Sequence, residues 1–472
     1  MEDITLLYTI LAAIYLILIV STMIVVLTDN SSPARTIAWL MVLIFVPVGG
    51  LVFYYMFGQD KRKQKFVTKN YYQKIKGMTF NELVPDENSD LVPTYINLIN
   101  LLKNNNHAAL LQGSKVEIIS SGERMFEALI ADLDAAKDHI HIEFFIFKND
   151  ETGNLVRTVL MKKALQGVKV RFLYDNVANW MVPRTFYSEM KDTGVEVGSL
   201  METRYPLLQS SKLNYRNHRK VVVIDGNIGY VGGMNVGNDY SINRHWMDRH
   251  LRIEGMGAHG LQSDFLLDWF AAGKQCPNLK KYFPPTKLYT DNLMQIATSG
   301  PYSKFTNLLQ ATISIILSAK KYVYMQTPYF LPTDSLFEAL QIAALSGVDV
   351  RLMVSKKSDS AYIDPAARSY YEDLLRAGMR IYELQGSFVH AKTLVADDNL
   401  SVIGSCNLDF RSLETNFEIN CYLYDTDLAQ QNKAIFCEQS KLCKEICYEE
   451  WVKRGKLKRL LESFVRLFAQ LM

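Results

Sequence analysis

Two stretches of the chain place histidine and lysine among residues that favour a buried strand. Asn217 to Asn235 reads NHRKVVVIDGNIGYVGGMN, and Val389 to Asn407 reads VHAKTLVADDNLSVIGSCN. Both fit H-x-K-x4-D-x6-G-[GS]-x-N, which sets His218, Lys220, Asp225 and Asn235 against His390, Lys392, Asp397 and Asn407. Residues two apart on a strand share a face, so each histidine projects with its lysine. A single histidine on an apolar strand usually has a structural role, and a single lysine usually snorkels. Two copies of one polar pattern are poorly explained that way. Inheritance without activity would have let one copy decay.

These residue types suit transfer at a phosphodiester. Such a reaction needs a nucleophile, a proton donor for the departing alkoxide, and cationic or hydrogen-bonding groups around the non-bridging oxygens. Two histidines can divide the first two tasks if one is neutral and the other protonated. Lys220, Lys392, Asn235 and Asn407 would surround the trigonal-bipyramidal phosphorus. Each imidazole also wants a carboxylate on its second nitrogen to fix its tautomer. Asp248, in HWMDRHLRI, and Glu418, in NFEINCY, lie at similar distances past the histidines of their halves and are given that role; the alternative is an ordinary surface or edge-strand acid. Asp225 and Asp397 belong to the motif, but at strand ends before turns they suit local backbone or side-chain donors better than proton transfer. Glu143 and Gln326 occupy equivalent strands, where lining the cleft and a core-edge role fit equally.

The elements that must hold these residues are themselves duplicated. HIHIEFFIFKNDETGNLVRTVLMKKALQGVKVRFLYDN from His139 parallels KYVYMQTPYFLPTDSLFEALQIAALSGVDVRLMVSK from Lys321: strand, loop, amphipathic helix, glycine stop, strand. TFYSEMKDTGVEV and SYYEDLLRAGMRI continue the match. Alternating strands and helices predict an α/β fold of two halves, each a mostly parallel sheet flanked by helices. The first copy has a longer run before its histidine, METRYPLLQSSKLNYRN, a candidate loop over the site.

The chain has 472 residues, 49% of them hydrophobic, enough for two or three full cores. Its net charge of +3 is too small for a nucleic-acid binder acting through bulk electrostatics. The six cysteines form no CxxC pair and, with no histidine at zinc-finger spacing, read as reduced thiols in the cytosol. His139, His141, His245 and His250 show no ligand-like arrangement, so no metal and no cofactor is expected. The glycines of GYVGGMNVG lack the strand-to-helix setting of a dinucleotide fingerprint.

Ile4 to Leu27 and Ile37 to Phe57 are charge-free apolar runs, each longer than the ~20 residues a crossing needs. They predict a transmembrane hairpin, with Pro47 to Gly50 a point where the second run can kink or re-enter. The basic Lys61 to Lys65 then places the N-terminus and everything after residue 60 in the cytoplasm. The predicted divisions are 1–60 hairpin, 61–110 juxtamembrane linker, 111–290 and 291–450 the two halves, and 451–472 a basic amphipathic helix. That last helix suits docking on the second half and contact with a membrane surface equally, and both can hold together.

The paired motifs resemble the double HKD signature of the phospholipase D superfamily. With the apolar N-terminus, and with IEFFIF, TPYFLP and HLRIEG, nearly the whole chain resembles the bacterial cardiolipin synthases of that superfamily. The resemblance implies two halves about a pseudo-twofold axis, both motifs in one cleft, and His218, Lys220, Asp225, His390, Lys392 and Asp397 as the catalytic set. It implies a phosphohistidine intermediate with the N-terminal histidine, His218, as nucleophile. It further implies phosphatidylglycerol and cardiolipin as partners, in the plasma membrane of a bacterium and without nucleic acid. One departure is visible: Gly233 stands where the second motif has Ser405, removing a hydroxyl donor from the first half. The alternatives are a phospholipase D-type hydrolase, a transferase using another acceptor, and a non-catalytic lipid-binding membrane protein.

Overall fold

A computed structural model of the chain describes residues 2–28, 33–46, 48–58, 75–77, 91–200, 215–242, 246–301 and 303–469. It forms two units, Met1–Gln64 with Thr203–Tyr215, and Lys65–Glu202 with Arg216–Met472. The basic cluster at 61–65, the candidate loop over 201–214, and His245 lie outside the described residues.

In the first unit Glu2–Thr28 is one helix, and its Ile4–Thr28 stretch alone among the described residues is long and apolar enough to cross a membrane. The second apolar run, expected to be a matching span, is interrupted. A helix over Pro33–Phe45 stops, a short helix covers Gly49–Phe53, and a π turn covers Tyr54–Gly58. Thirteen helical residues reach only ~20 Å of a ~30 Å hydrocarbon core. The break is local chemistry: Val48 sits at φ 61° and donates its N–H to the Tyr15 hydroxyl at 3.1 Å. A Cβ on Gly50 would lie 2.6 Å from the Val42 carbonyl oxygen, so only glycine allows that approach.

The second unit contains the repeat. Its first half supplies β1 (Leu111–Gln112), β2 (Lys115–Ile119), β3 (His139–Phe144), β4 (Lys169–Asp175), β5 (Glu196–Leu200), β6 (Lys220–Ile224), β7 (Ile228–Gly232) and β8 (His250–Glu254). The second supplies β9 (Leu293–Ser299), β10 (Tyr322–Gln326), β11 (Phe330–Leu331), β12 (Asp349–Ser355), β13 (Arg380–Leu384), β14 (Thr393–Ala396), β15 (Leu400–Gly404), β16 (Leu408–Asp409), β17 (Glu418–Tyr424) and β18 (Cys443–Glu445). One large sheet runs β2-β8-β7-β6-β3-β4-β5, and the other β1-β9-β17-β15-β14-β10-β12-β13-β18, with β11-β16 a separate parallel pair. Strand for strand, β2-β8-β7-β6-β3-β4-β5 maps onto β9-β17-β15-β14-β10-β12-β13.

Each large sheet is mixed, where the alternation of strands and helices predicts a mostly parallel one. Within these two sheets only β3-β4-β5 and β10-β12-β13, the strands joined through crossover helices, run parallel. The motif strands instead form tight antiparallel hairpins, β6-β7 and β14-β15, because the loops between them are too short to carry a crossover. The crossover helices Glu151–Leu165 and Asp334–Leu345 start at side-chain caps from Asp150 and Thr333 and stop before Gly167 and Gly347, both at positive φ. The expected linker also contains structure: Leu91–Asn106 is a helix whose Leu98, Ile99 and Leu102 join the second half's core; just past the linker, β1 pairs with β9 of that same half.

Val221 and Val223 face a core shared with Ile296, Ile403 and Ile419 of the other sheet, while Val222 and Ile224 face their own half's helices. Both faces of β6 are therefore covered, which accounts for its unbroken apolar run.

Candidate active site

The segments just before the two motif histidines cross from one half to the other. His218 N–H donates to the Phe417 carbonyl at 3.0 Å, and Phe417 N–H donates to that of Arg216 at 2.9 Å. His390 N–H donates to the Met247 carbonyl at 2.7 Å, and Met247 N–H donates to that of Phe388 at 2.9 Å. Asn217 thereby bridges in parallel to Phe417, and Met247 to Val389. These are reciprocal contacts, as a pseudo-twofold axis requires.

The exchange decides which carboxylate meets which histidine. His218 Nδ1 lies 3.0 Å from Glu418 Oε2, and His390 Nδ1 lies 2.6 Å from Asp248 Oδ2. Sequence distance pairs each carboxylate with the histidine of its own half; the fold pairs them across. The cause is the bridge itself, which seats the residue before each carboxylate beside the residue before the opposite histidine. The Gly233/Ser405 departure follows the same geometry. Ser405 Oγ donates to Glu418 Oε2, whereas a Cβ on Gly233 would sit 2.1 Å from Asp248 Oδ1, so the shorter acid fills the place a serine would need.

All six polar groups of this cluster are withdrawn from solvent: His218 is 8% exposed, His390 6%, Lys220 0%, Lys392 3%, Asp248 1% and Glu418 0%. Burial would raise both carboxyls, but for Glu418 the His218 partner, Lys220 and the Ser405 hydroxyl hold the group below its usual value, and for Asp248 His390 and Lys392 do so. Both are carboxylates at neutral pH. Burial, against the pull of Glu418 and with Lys220 and Lys392 adding repulsion, brings His218 down to about 4. Burial and Lys392 bring His390 to about 3. Each neutral imidazole then donates Nδ1–H to its carboxylate and keeps a lone pair on Nε2. Burial also lowers Lys392 to about 8 and, with Lys392 as neighbour, carries Lys220 well below the ordinary lysine range. Lys220 acts on His390 and Lys392 on His218, so the two motifs share one electrostatic environment.

The motif aspartates stand apart from this chemistry. Asp225, in the left-handed region at φ 51°, accepts the backbone N–H groups of Lys137, Asp138 and His139 at 2.8–2.9 Å. Asp397, at φ 52°, does the same for Lys320, Lys321 and Tyr322 at 2.7–3.1 Å. Each clamps the start of its half's central strand; the donors are backbone groups, but they lie 75–88 positions earlier in the chain rather than in the turn, where the sequence reading placed them. Asn235 accepts from Ile146 N–H and donates Nδ2 to the Tyr240 hydroxyl at 2.9 Å, which in turn lies 3.5 Å from His390 Nε2. Asn407 is buried at the head of β16. Glu143 is fully buried with Asn217 Nδ2 donating to it, and Gln326 bonds Thr393 and Gln439; neither touches the histidines.

Residues 129–247 and 312–440 match the cardiolipin synthase, phospholipase D-like domain, and residues 10–59 match the phospholipase D-nuclease N-terminal domain. The major cardiolipin synthase of Bacillus subtilis is 36% identical over 486 residues, covering 98% of this chain and 99% of that one. The chain belongs to the cardiolipin synthase family. A cardiolipin synthase of Geobacillus kaustophilus is also 36% identical, over 95% of this chain and 91% of its own. The crystal structure of phosphatidylserine synthase from Haemophilus influenzae shares the fold, with a TM-score of 0.60 at 16% identity over 80% of this chain and 98% of that one.

Several groups at this family site escape a reading by motif. Tyr240, Trp246 and Phe388 surround the His390 ring at centroid distances of 5.3, 5.5 and 5.8 Å, and Phe145 lies 4.8 Å from that of His218. Trp246 sits two residues before Asp248 in the quoted HWMDRHLRI, which is the one signal the sequence offers for it. Arg219, between His218 and Lys220 on the opposite face, ion-pairs with Asp268 and donates to the carbonyls of Glu418 (3.2 Å) and Ser299 (3.0 Å). It ties the buried helix Met256–Ala271 to the strand that carries Glu418. Its counterpart is Ala391, so the repeat gives no hint of that role. Asp175 and Ser355, at equivalent strand ends, accept the N–H groups of Asn217 and Val389 at 3.0 and 2.7 Å, fixing the approach to each histidine.

Proposed function

We propose that the chain is a cardiolipin synthase, transferring a phosphatidyl group between two phosphatidylglycerol molecules. The observation that carries this is the pair of crossed, buried carboxylate–histidine couples flanked by Lys220 and Lys392. In the first step His218 Nε2 attacks the phosphorus of one phosphatidylglycerol, and the bond to the headgroup glycerol oxygen breaks. Protonated His390 gives that oxygen a proton, and glycerol leaves. In the second step His390, now neutral, takes a proton from the headgroup hydroxyl of another phosphatidylglycerol. That oxygen attacks the phosphorus, the P–N bond breaks, and cardiolipin and free His218 result. Two phosphatidylglycerols become one cardiolipin and one glycerol, with no nucleotide consumed.

The protein groups push both imidazoles toward neutrality, which suits the nucleophile. The acid must be charged, and the anionic phosphodiester itself supplies the field that favours protonated His390. Lys220, Lys392, Asn235 and Asn407 are assigned to the phosphoryl oxygens, where charge spreads in the transition state. Glu418 and Asp248 orient the imidazoles and stabilise their positive charge. The aromatic wall of Tyr240, Trp246, Phe388 and Phe145 restricts water, which favours a lipid hydroxyl as acceptor.

The finer localisation we infer is the plasma membrane of a bacterium, with two crossings and the catalytic halves in the cytoplasm. It rests on the apolar N-terminus, the basic residues 61–65 and the unpaired thiols. The second crossing requires both helical pieces of the interrupted segment. An impermeant thiol reagent applied to intact cells should fail to label a cysteine introduced after residue 64; efficient labelling overturns the topology. For activity, purified full-length protein is incubated with phosphatidylglycerol alone and the products are resolved by mass. Cardiolipin and glycerol are expected to dominate. Phosphatidic acid as main product across lipid concentrations would replace the synthase with a hydrolase.

A further inference from the structure

The C-terminal helix Lys456–Arg466 is mounted with its polar side inward. Glu462 is buried at 3% exposure and accepts both contacts of Arg454 Nη1 at 2.8 Å. Arg459 Nη2 reaches Glu372 of the helix Ile363–Arg376 at 2.7 Å, and Arg466 lies over the Tyr370 ring at 5.5 Å. Val465 and Ala469 complete the contact with the second half's core.

The consequence is that its apolar side faces outward. Leu457, Leu460, Leu461, Phe464, Leu467 and Phe468 are 45–81% exposed. At ~100° per residue they fall within an arc of about 120°, the width of a stripe that ordinarily packs on a core. Here that core lies on the opposite side. Exposed Lys453, Lys456 and Lys458 border the stripe. Lysine is depleted in protein interfaces, whereas lysine beside a leucine and phenylalanine face is the composition of helices that lie in an anionic lipid surface.

We infer that the outward face of Lys456–Arg466 and the turn after it is a lipid-docking surface, seated at the headgroup and acyl boundary of an anionic bilayer, separate from the apolar N-terminal helix. The charge pattern selects negatively charged lipid over a second protein. The inward salt bridges hold the helix at a fixed angle to the catalytic halves, so insertion orients the site as well as tethering it.

The test uses the full-length chain in phosphatidylglycerol nanodiscs, with Cys437, Cys443 and Cys447 changed to serine. A nitroxide is attached at Phe464→Cys, with Lys441→Cys as a solvent-exposed control. Relaxation by oxygen and by a water-soluble nickel chelate reports depth. At position 464 a severalfold preference for oxygen is expected, lost in phosphatidylcholine discs, with no preference at 441. A water-like ratio at 464 in phosphatidylglycerol discs overturns the inference, and so does spin–spin broadening between labelled copies, which would make the face a contact with a second chain. This readout needs no turnover, so its failure is distinguishable from failure of the synthase reading. A Leu461→Asp, Phe464→Asp variant should lose severalfold in rate on bilayer substrate yet keep its rate on short-chain monomeric substrate. Because both side chains are exposed, its thermal unfolding should be unchanged; equal rates on the two substrates also count against the inference.

Discussion

The crossed pairing makes a sharp prediction for Glu418→Gln. The substitution keeps the shape and the oxygen facing His218 Nδ1 but removes the negative charge opposite an imidazole that turns positive on phosphorylation. With the two groups in contact at 3.0 Å, an effective dielectric of ~20 puts a unit-charge interaction at ~4 Å near 4 kcal/mol. At ~1.4 kcal/mol per decade, the first chemical step should slow by about 10³. The assay is a rapid-mixing burst with a phosphatidyl nitrophenyl ester. Nitrophenolate needs no proton to leave, so this substrate isolates the nucleophile from the acid. Glu418→Gln should slow the burst by about 10³, whereas Asp248→Asn, acting on the acid His390, should leave it within about tenfold while lowering turnover of phosphatidylglycerol, whose glycerol does require a proton. With Glu418 on His218 and Asp248 on His390, a burst abolished by Asp248→Asn and spared by Glu418→Gln would make His390 the nucleophile and refute the assignment of His218.

Gly233→Ala should leave the fold intact but push Asp248 off His390, since the added Cβ would meet Oδ1 at 2.1 Å; a large fall in phosphatidylglycerol turnover with little change in melting temperature is expected. Lys392, lowered to about 8 by burial, carries its charge below that pH and loses it above, so kcat/KM should decline on an alkaline limb near 8 that Lys392→Arg shifts upward. Stability has the other sign. His218 and His390, at about 4 and about 3, bind protons less readily folded than unfolded, where the value is ~6.5. Their contribution is therefore whole above pH ~6.5 and is lost as pH falls toward 4, by about 3 kcal/mol for His218 alone. Melting curves from pH 7 to 5 check this, and a His218→Asn, His390→Asn double variant should flatten the dependence. Activity should survive excess chelator, because Lys220 and Lys392 supply positive charge and no group of three or more His, Cys, Asp or Glu among the described residues is arranged for a metal ion; loss of activity restored by one divalent ion would contradict this.

The amino-acid sequence determined the duplication, the two motifs, the turn positions of Asp225 and Asp397, and the apolar start of the chain. All of these rest on short-range information: strand and helix periods, turn chemistry, and the recurrence of one pattern in two places. Which carboxylate serves which histidine was beyond it, because Asn217–Phe417 and Met247–Val389 are backbone bridges between residues about 140 to 200 positions apart, and spacing along a chain carries no record of an exchange across an axis. The mixed sheets had the same origin: periodicity marks a strand but not its direction, and the short turns after Ile224 and Ala396 returned the motif strands antiparallel. Arg219 was hidden because its partners, Asp268 and the Glu418 carbonyl, come together only when the two sheets share a core. The outward apolar stripe of Lys456–Arg466 was legible as a pattern, but which side of that helix met protein depended on Glu462 finding Arg454 and Arg459 finding Glu372, contacts that only the folded second half could offer.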